Sequence, residues 1–283
     1  MGIANKIQLN SYESLFGNDN ENIINIDLND LQDFKNHPFK VLNNNDMDIL
    51  VESIKQNGVI NPIIVRKYDN TKYEILSGHR RSYASKIAGL KTIPAIIKEN
   101  ISDEDATVYM VDSNISREVL LPSEKAFSYK MKQDALKHQG KVGHNTNNSI
   151  GEDFGDSGRQ VQRYIRLTNL IPELLEFVDI NKIKLVPAVE LSYIVKEQQK
   201  IISEYINQYN KFPGINEAKE LRKLSEKNNL TYSNIQILFN NKKNHSKTSI
   251  KLSDDIIKQI EIALPNKNLE EAIKEIISSF LNN

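Results

Sequence analysis

Apolar residues recur at helical and strand spacing over the first patterned part of the chain. Four of them follow the i, i+3, i+4, i+7 spacing of one helix face, and they are Met47, Leu50, Val51 and Ile54. Gly58 is a typical stop for this helix. The segments 60–68 and 72–78 flank a polar turn and predict two strands, while 80–88 predicts a second helix and 92–99 a third strand. This order predicts a compact α+β domain.

Beyond residue 100 the pattern becomes helical. Ser102, with Asp105 three residues later, resembles a capping box, and Pro122 and Gly140 frame a further helix. Helical spacing continues to the segment "NKFPG", which resembles a linker. The predicted organisation is a flexible tail over 1–22, an α+β domain over 23–100, an all-α domain over 101–210 and a small C-terminal module over 211–283. The module has one predicted strand and two amphipathic helices, which suit either dimerisation or a small helical cap.

Charge and composition limit the class of protein only weakly. The chain has 37 basic and 37 acidic residues among 283, so a nucleic-acid surface would have to be a local concentration of basic groups. Cysteine is absent, which excludes disulfides and thiolate metal sites. The polar N-terminal segment lacks the apolar core of a signal peptide, and no window has the length of a membrane span. We therefore expect a cytoplasmic protein without a membrane partner.

Two adjacent arginines lie where a predicted strand gives way to a predicted helix, in the segment "ILSGHRR". The first turn of a helix has N–H groups without internal acceptors and is the positive end of the helix dipole. Gly78 would let a ligand approach the backbone closely, and Arg80 and Arg81 add guanidinium donors that suit phosphate oxygens. Cations at this end of a helix need an anionic partner. That partner is a ligand phosphate or a carboxylate of the protein, and a solvated face is the third alternative.

A second basic feature follows the turn at 155–158. Ile150 and Phe154 are four residues apart on a predicted short helix, and Ser157 is a favourable N-cap for the next helix. One stripe of that second helix is predicted to face the protein: Val161, Tyr164, Ile165 and Thr168. Another stripe is polar: Arg159, Gln162, Arg163 and Arg166. This pattern is typical of a recognition helix in the DNA major groove, where Arg suits guanine or phosphate and Gln suits adenine. A solvated basic face is the alternative.

Three segments in the same order resemble the signature blocks of the ParB family of plasmid and chromosome partition proteins. They are residues 37–67, then "YEILSGHRRSYASKIAGLKTIPAII", then "MVDSNISREVLLPSEKAFSYK". The resemblance extends over residues 23–200 and leaves the C-terminal part unmatched. It implies an α+β ParB-like nucleotide-binding domain followed by an all-α helix-turn-helix domain.

The resemblance also implies a CTP-dependent DNA clamp. Family members bind CTP with Mg²⁺ and recognise a palindromic site in double-stranded DNA as homodimers. In the partition case a Walker-type ATPase is the usual partner, and the protein would be associated with the nucleoid. Carried over by position, the nucleotide-binding residues are Gly78, His79, Arg80, Arg81, Asn114 and Arg117, with Asn114 also serving the nucleotide-bound magnesium. The DNA-binding residues are Ser157, Arg159, Gln160, Gln162, Arg163 and Arg166.

Three departures from the family pattern separate nucleotide binding from hydrolysis. His79 stands where an acidic residue usually follows the glycine, Ser113 stands where Glu usually precedes the asparagine, and the segment from His37 to Phe39 replaces Gln-Pro-Arg. A carboxylate beside a bound triphosphate is a natural candidate for positioning metal or water. CTP hydrolysis is therefore less expected than CTP binding, and no catalytic residue is assigned.

Two other functions fit the same sequence. One is a ParB-like transcription regulator without a partition role. The other is a ParB-fold nuclease or phosphoryl-transfer enzyme, although the corner around Gly78 offers no clustered carboxylates for a two-metal site.

Overall fold

The computed structural model describes residues 23–114, 120–141, 143, 146–240 and 253–264, with single positions at 268, 269, 271, 273, 275 and 278. The chain divides into two compact units. The first ends at Leu238, and the second begins at Phe239. Each unit is described by itself.

A five-stranded mixed sheet forms the centre of the N-terminal part. Its strands are β1 (Ile23–Asp27), β2 (Leu31–Gln32), β3 (Ile63–Lys67), β4 (Tyr73–Ser77) and β5 (Thr92–Lys98), in the order β1-β5-β3-β4-β2. β3 runs parallel to β5 and antiparallel to β4, while β1 pairs antiparallel with β5 and β2 pairs parallel with β4. Successive residues of a strand point to opposite faces. Accordingly, Ile63 and Val65 pack in one apolar cluster, whereas Ile64 packs in another.

Two helices complete the α+β part and confirm the predicted fold class. Helix α1 (Asn45–Asn57) is capped by Asn44, whose Oδ1 accepts from the Met47 N–H at 3.1 Å, and Gly58 follows its last residue with φ of +69°. Helix α2 (His79–Ile87) begins directly after β4. The predicted strands and both predicted helices are therefore present.

The rest of the first unit is helical. Its helices are α3 (Asp103–Asp112), α4 (Pro122–His138), α5 (Thr146–Glu152), α6 (Gly158–Leu167), α7 (Pro172–Asp179), α8 (Leu185–Leu191), α9 (Lys196–Tyr209) and α10 (Ile215–Glu226), followed by α11 (Tyr232–Asn240) at the boundary between the units. Ser102 caps α3 as predicted, because its Oγ accepts from the Asp105 N–H at 3.0 Å. None of the helices in the described ranges is long and apolar enough to cross a membrane.

The predicted boundary at residue 210 falls inside the first unit. Helix α10 packs on α8 through buried Ala218 and Leu221, and Arg222 forms an ion pair with Glu190 at 3.1 Å. The apolar positions of α10 thus belong to the preceding helices. In the second unit, α12 (Asp254–Ala263) corresponds to the first predicted amphipathic helix, whereas the predicted strand before it lies outside the described residues.

Candidate nucleotide corner and nucleic-acid interface

The corner between β4 and α2 is built on a glycine that no other residue could replace without strain. Gly78 has φ of +104°, and an added Cβ would lie 2.5 Å from Cγ2 of Ile63. This side of Gly78 is filled by β3, so the glycine is required by packing as well as by its backbone angle. No side chain caps α2, so the N–H groups of its first turn have no side-chain acceptor at the cap position.

The two arginines of the corner have different surroundings. Arg81 donates from Nη1 to the backbone oxygens of Asn61 and Pro62, both at 2.7 Å, and burial lowers its pKa. Arg81 therefore holds the loop that enters β3. Arg80 is half-buried and has no hydrogen bond or ion pair with any described residue. The sequence predicts that both guanidinium groups bind phosphate. Among the described residues, only that of Arg81 has a protein partner.

His79 points into the protein. Its side chain is buried, its Nε2 accepts from the Phe34 N–H at 3.4 Å, and its ring centroid lies 3.6 Å from that of His37. Burial, together with the charge of His37, lowers the pKa of His79 to about 3. The imidazole is therefore neutral near pH 7. The side chain of His79 is thus in contact with Phe34 and His37, and its assignment to the nucleotide site stays a prediction.

The end of α3 lies beside the end of β4. Asn114 donates from Nδ2 to the Met110 oxygen at 2.9 Å. Ser113 donates from Oγ to the same oxygen at 3.0 Å and lies 3.5 Å from the oxygen of Leu76. Leu76 lies two residues before Gly78, so this contact places Ser113 and Asn114 of the third sequence block near the corner. Arg117 lies outside the described residues.

The predicted short helix, turn and second helix are present as α5, the turn at 153–157, and α6. Two glycines permit their close packing. A Cβ on Gly151 would lie 2.1 Å from the Asp156 oxygen, and a Cβ on Gly158 would lie 2.1 Å from Oδ1 of Asn148. The Gly158 N–H donates to that same Oδ1 at 3.0 Å. Ser157 caps α6 as predicted, since its Oγ accepts from the Gln160 N–H at 3.3 Å.

The apolar stripe of α6 faces the protein as the sequence predicts. Val161 is fully buried in a cluster with Tyr129 and Ile150, and Tyr164 and Ile165 pack against it. The polar stripe is only partly as predicted. Of its predicted members, Arg159 and Gln162 are exposed and Arg163 is half-exposed, and Gln160 beside them is also half-exposed.

Arg166 is the exception on the polar stripe. Its Nη2 donates to the Ser192 oxygen at 3.3 Å, and its guanidinium lies 3.9 Å from the ring centroid of Tyr193. The guanidinium of Arg222 lies 4.0 Å from the same ring. Tyr193 thus contacts two arginines. Arg166 is half-exposed like Arg163, but its guanidinium ties the end of α6 to the residues that follow α8.

A polar network beneath this interface was not predicted. Lys132 on α4 is buried and forms ion pairs with Asp112 and Asp153. Asp156 accepts from Tyr129 Oη at 2.6 Å and pairs with Lys125 Nζ at 2.9 Å. These pairs join residues far apart in the chain, so their partners could not be read from local spacing. Their one signal in the sequence is a lysine at an inward position of α4, on the face that also carries Ser128 and Ala135.

No group of three or more His, Asp or Glu side chains in the described ranges is arranged to hold a metal ion. A cavity of about 650 Å³ lies at the ends of β3 and β5 opposite the corner, with Arg66, Tyr68 and Lys98 in its lining. It is therefore separate from the corner.

Comparisons with known proteins agree with the sequence blocks. Residues 13–115 match the family model described as the ParB N-terminal domain. A probable chromosome-partitioning protein ParB from Neisseria meningitidis is 39% identical over 123 residues, which cover 43% of this chain and 40% of the relative. One from Vibrio cholerae is 31% identical over 171 residues, covering 60% and 55%. The chain thus spans about half the length of these relatives.

Solved structures show a more distant likeness. C-terminally truncated ParB from Caulobacter crescentus complexed to the centromeric parS site is 23% identical and has a TM-score of 0.42, covering 71% of this chain and 98% of that one. The same protein complexed with CTP-gamma-S is 26% identical with a TM-score of 0.32, covering 66% and 99%.

Proposed function

We propose, from the match of residues 13–115 to the ParB N-terminal domain, that the protein is a sequence-specific DNA-binding partition protein of the CTP-dependent clamp type. The observation that carries the proposal is the exposed stripe of α6, which presents Arg159, Gln162 and Arg163 after a short helix and a tight turn. In a helix-turn-helix, the second helix enters the major groove with its first residues against the base edges. Arg159 and Gln162 lie in the first half of α6, which suits this role.

The electrostatic arrangement of α6 supports direct contact with DNA. The outer side chains of α6 are cationic or neutral, and no acidic residue occurs between Gly158 and Leu167. Arg donates in pairs to guanine or to phosphate, and Gln pairs with adenine. With Arg166 held by Ser192 and Tyr193, the reading surface consists of Arg159, Gln162 and Arg163, with Gln160 beside them.

The corner is the proposed site for CTP with Mg²⁺. The N–H groups in the first turn of α2 and the guanidinium of Arg80 are donors that suit a triphosphate. The side-chain nitrogen of Asn114 donates to the Met110 oxygen of α3, which leaves the side-chain oxygen of Asn114 as the atom that suits a cation. When bound, magnesium would neutralise phosphate charge. His79 is neutral and buried and the Ser113 hydroxyl bonds to Met110, so the proposal is limited to binding.

The DNA proposal can be tested by recovery of genomic DNA fragments on the purified protein. We expect enrichment of one palindromic sequence, with an affinity that falls steeply as salt rises, since each phosphate contact adds about 0.9 to the slope of log K against log salt. Arg159→Ala should lower affinity by about 5- to 150-fold, because a good base contact contributes about 1–3 kcal/mol. Lys200→Ala, an exposed cation on α9, is the matched control. Recovery without sequence preference would contradict the proposal.

The partners are proposed on the same basis. A palindromic site requires two-fold symmetry, so we expect a homodimer with twice the chain mass of 32.4 kDa, measurable by light scattering. A Walker-type ATPase encoded beside this chain and retained by it would favour partition. Its absence would favour the transcription regulator, for which the DNA-binding parts are the same.

A further inference from the structure

Two arginines lie over the ring of one tyrosine at the end of α6. The guanidinium carbon of Arg166 lies 3.9 Å from the ring centroid of Tyr193, and that of Arg222 lies 4.0 Å from the same point. Tyr193 lies just after α8 and Arg222 belongs to α10, so the ring connects α6 to two elements further along the chain. Tyr193 is 47% exposed, which places these three residues, the tyrosine stack, at the surface.

The two arginines of the tyrosine stack differ in how their charge is balanced. Arg222 pairs with Glu190 at 3.1 Å and with Glu226 at 2.9 Å. Arg166 has no ion pair with any residue in the described ranges, and its one hydrogen bond there is donated from Nη2 to the Ser192 oxygen at 3.3 Å. A carbonyl oxygen and a ring face leave the net charge of a guanidinium unchanged. The end of α6 therefore carries a positive charge that no carboxylate of the described residues balances.

The position of Arg166 along α6 suits a phosphate of the DNA backbone. Arg159 and Arg166 are seven residues apart on one stripe of the helix, which corresponds to about 10 Å along the helix axis. The major groove is about 12 Å wide. With Arg159 in the first turn against the base edges, the last turn of α6 lies near a wall of the groove, which is lined by phosphates.

The tyrosine stack holds the side chain of Arg166 in place without DNA. A long side chain that becomes ordered only on binding lowers the affinity, because its rotamer freedom is lost. The ring of Tyr193 and the Ser192 oxygen already hold this guanidinium, and its Nε is buried. Arg222, which is anchored by two carboxylates, contacts the same ring. The charge is thus pre-organised at one end of the proposed DNA-reading stripe.

From these contacts we infer that Arg166 binds a backbone phosphate of the DNA and that Tyr193 is the residue that positions it. The inference rests on the proposed DNA-binding function and divides the stripe of α6 by role. Arg159 and Gln162 read bases, whereas Arg166 fixes the register of the helix on the duplex. Phosphate contacts carry no sequence information directly. Arg166 should therefore contribute to affinity and to salt dependence without contributing to base preference.

Fluorescence anisotropy of the full chain with the palindromic DNA fragment that it enriches from genomic DNA measures these effects. Affinity is determined over a range of salt, and again with each base pair of the fragment substituted in turn. We expect Arg166→Ala to weaken binding about 10-fold or more, as for the loss of a hydrogen bond to a charged group. The slope of log K against log salt should fall by about 1, while the ranking of the substituted fragments stays that of the parent.

Tyr193→Leu tests the positioning role, since it leaves the charge of Arg166 in place. We expect the affinity to fall about 2- to 5-fold, which corresponds to the loss of an exposed cation–π contact, with the salt slope unchanged. Tyr193→Phe retains the ring and should bind DNA like the parent. In the Arg166→Ala background, Tyr193→Leu should have no further effect on affinity, because both substitutions remove the same contact. A loss of stability alone would not produce this non-additivity.

Tyr209→Leu is the matched control. Tyr209 is the last residue of α9, is 39% exposed and contacts the rings of Tyr205 and Tyr232. This substitution removes an aromatic ring of similar exposure from the first unit without touching the tyrosine stack. DNA affinity should therefore stay within about 2-fold of the parent.

The outcomes separate the inference from the function on which it rests. If the parent binds the fragment but Arg166→Ala keeps the salt slope of the parent or changes the ranking of the fragments, the phosphate role is overturned. If Tyr193→Leu binds like the parent, or weakens binding equally with and without Arg166, the positioning role is overturned while DNA binding stands. If the parent enriches no sequence, the proposed function itself fails and the inference fails with it.

Discussion

Replacing Gly78 by alanine should destabilise the first unit by more than its backbone angle alone explains. An alanine at φ of +104° is strained by about 1–2 kcal/mol, as any L-residue is in the left-handed region. Its Cβ would also lie 2.5 Å from Cγ2 of Ile63, a buried side chain of β3 that cannot move without disturbing the core. Overpacking of this kind costs about 1–3 kcal/mol. We therefore expect a total loss of about 2–5 kcal/mol in the free energy of unfolding.

Gly89 provides a control at the other end of the same helix. It has φ of +80°, but no atom lies within 4 Å of an added Cβ. Gly89→Ala should therefore show only the backbone cost of about 1–2 kcal/mol. The difference between the two variants isolates the contact with Ile63.

Urea unfolding followed by far-ultraviolet circular dichroism is the appropriate assay. With a urea dependence of about 2–3 kcal/mol per M, Gly78→Ala should move the midpoint down by about 1–2 M, and Gly89→Ala by about 0.5 M. Equal shifts for the two variants would refute the steric argument, and Gly78 would then be needed only for its backbone angle. Unchanged unfolding of Gly78→Ala would refute the described packing of the corner.

The remaining predictions concern charged and aromatic groups of the first unit. The pKa of His79 is about 3 in the folded protein and about 6.5 in the unfolded chain, so its contribution to the free energy of unfolding is complete above pH 6.5 and is lost as pH falls toward 3. Lowering the pH to 5 should therefore reduce the free energy of unfolding by about 2 kcal/mol. This loss should be absent in His79→Gln and retained in His138→Gln. Tyr193→Leu should lose about 1 kcal/mol of stability by removing two cation–π contacts, and Tyr193→Phe should retain it, as measured by urea unfolding. Arg80→Ala should weaken CTP binding about 10-fold or more in calorimetry without loss of stability, whereas Arg81→Ala should also lower the unfolding free energy by about 2 kcal/mol, because two backbone oxygens lose a charged donor. An Arg81→Ala protein as stable as the parent would contradict that role.

The spacing of residues was sufficient to predict the secondary-structure elements, helix caps and buried helix faces that depend on local sequence. The strands and helices of the α+β part, the cap at Ser157 and the inward stripe around Val161 all follow from alternation, helical period and capping chemistry. The direction of a long side chain depends instead on what packs beside it in the fold. Arg80 and Arg81 are neighbours in the chain, yet one binds the loop before β3 and the other has no described partner, and the sequence contains no sign of this difference.

The same limit applies to the polar stripe of α6. Helical spacing places Arg166 with Arg159 and Arg163. However, Arg166 contacts Ser192 and Tyr193, which directly follow α8, a helix that begins eighteen residues after α6 ends. The pairing of Lys132 with Asp112 and Asp153 likewise joins residues that are far apart in the sequence. A buried lysine could be suspected from its position on α4, but its partners depend on how α3, α4 and α5 pack.

The departures from the family pattern at the corner belong together in space. More than forty positions separate His37 from His79 in the chain. The His37 ring nevertheless contacts both Phe39, at a centroid distance of 5.5 Å, and His79, at 3.6 Å. Phe39 is buried with Leu76 and Met110, so the position of the usual arginine is now part of the apolar core beneath the corner. Because an arginine position and an acidic position have both become uncharged and buried, the net charge of the corner is little changed. Arg80 and the first turn of α2 still supply the positive potential that a triphosphate needs, whereas no carboxylate of the two altered family positions remains to position water. The structure therefore gives a physical reason for treating nucleotide binding and nucleotide hydrolysis as separate questions in this protein.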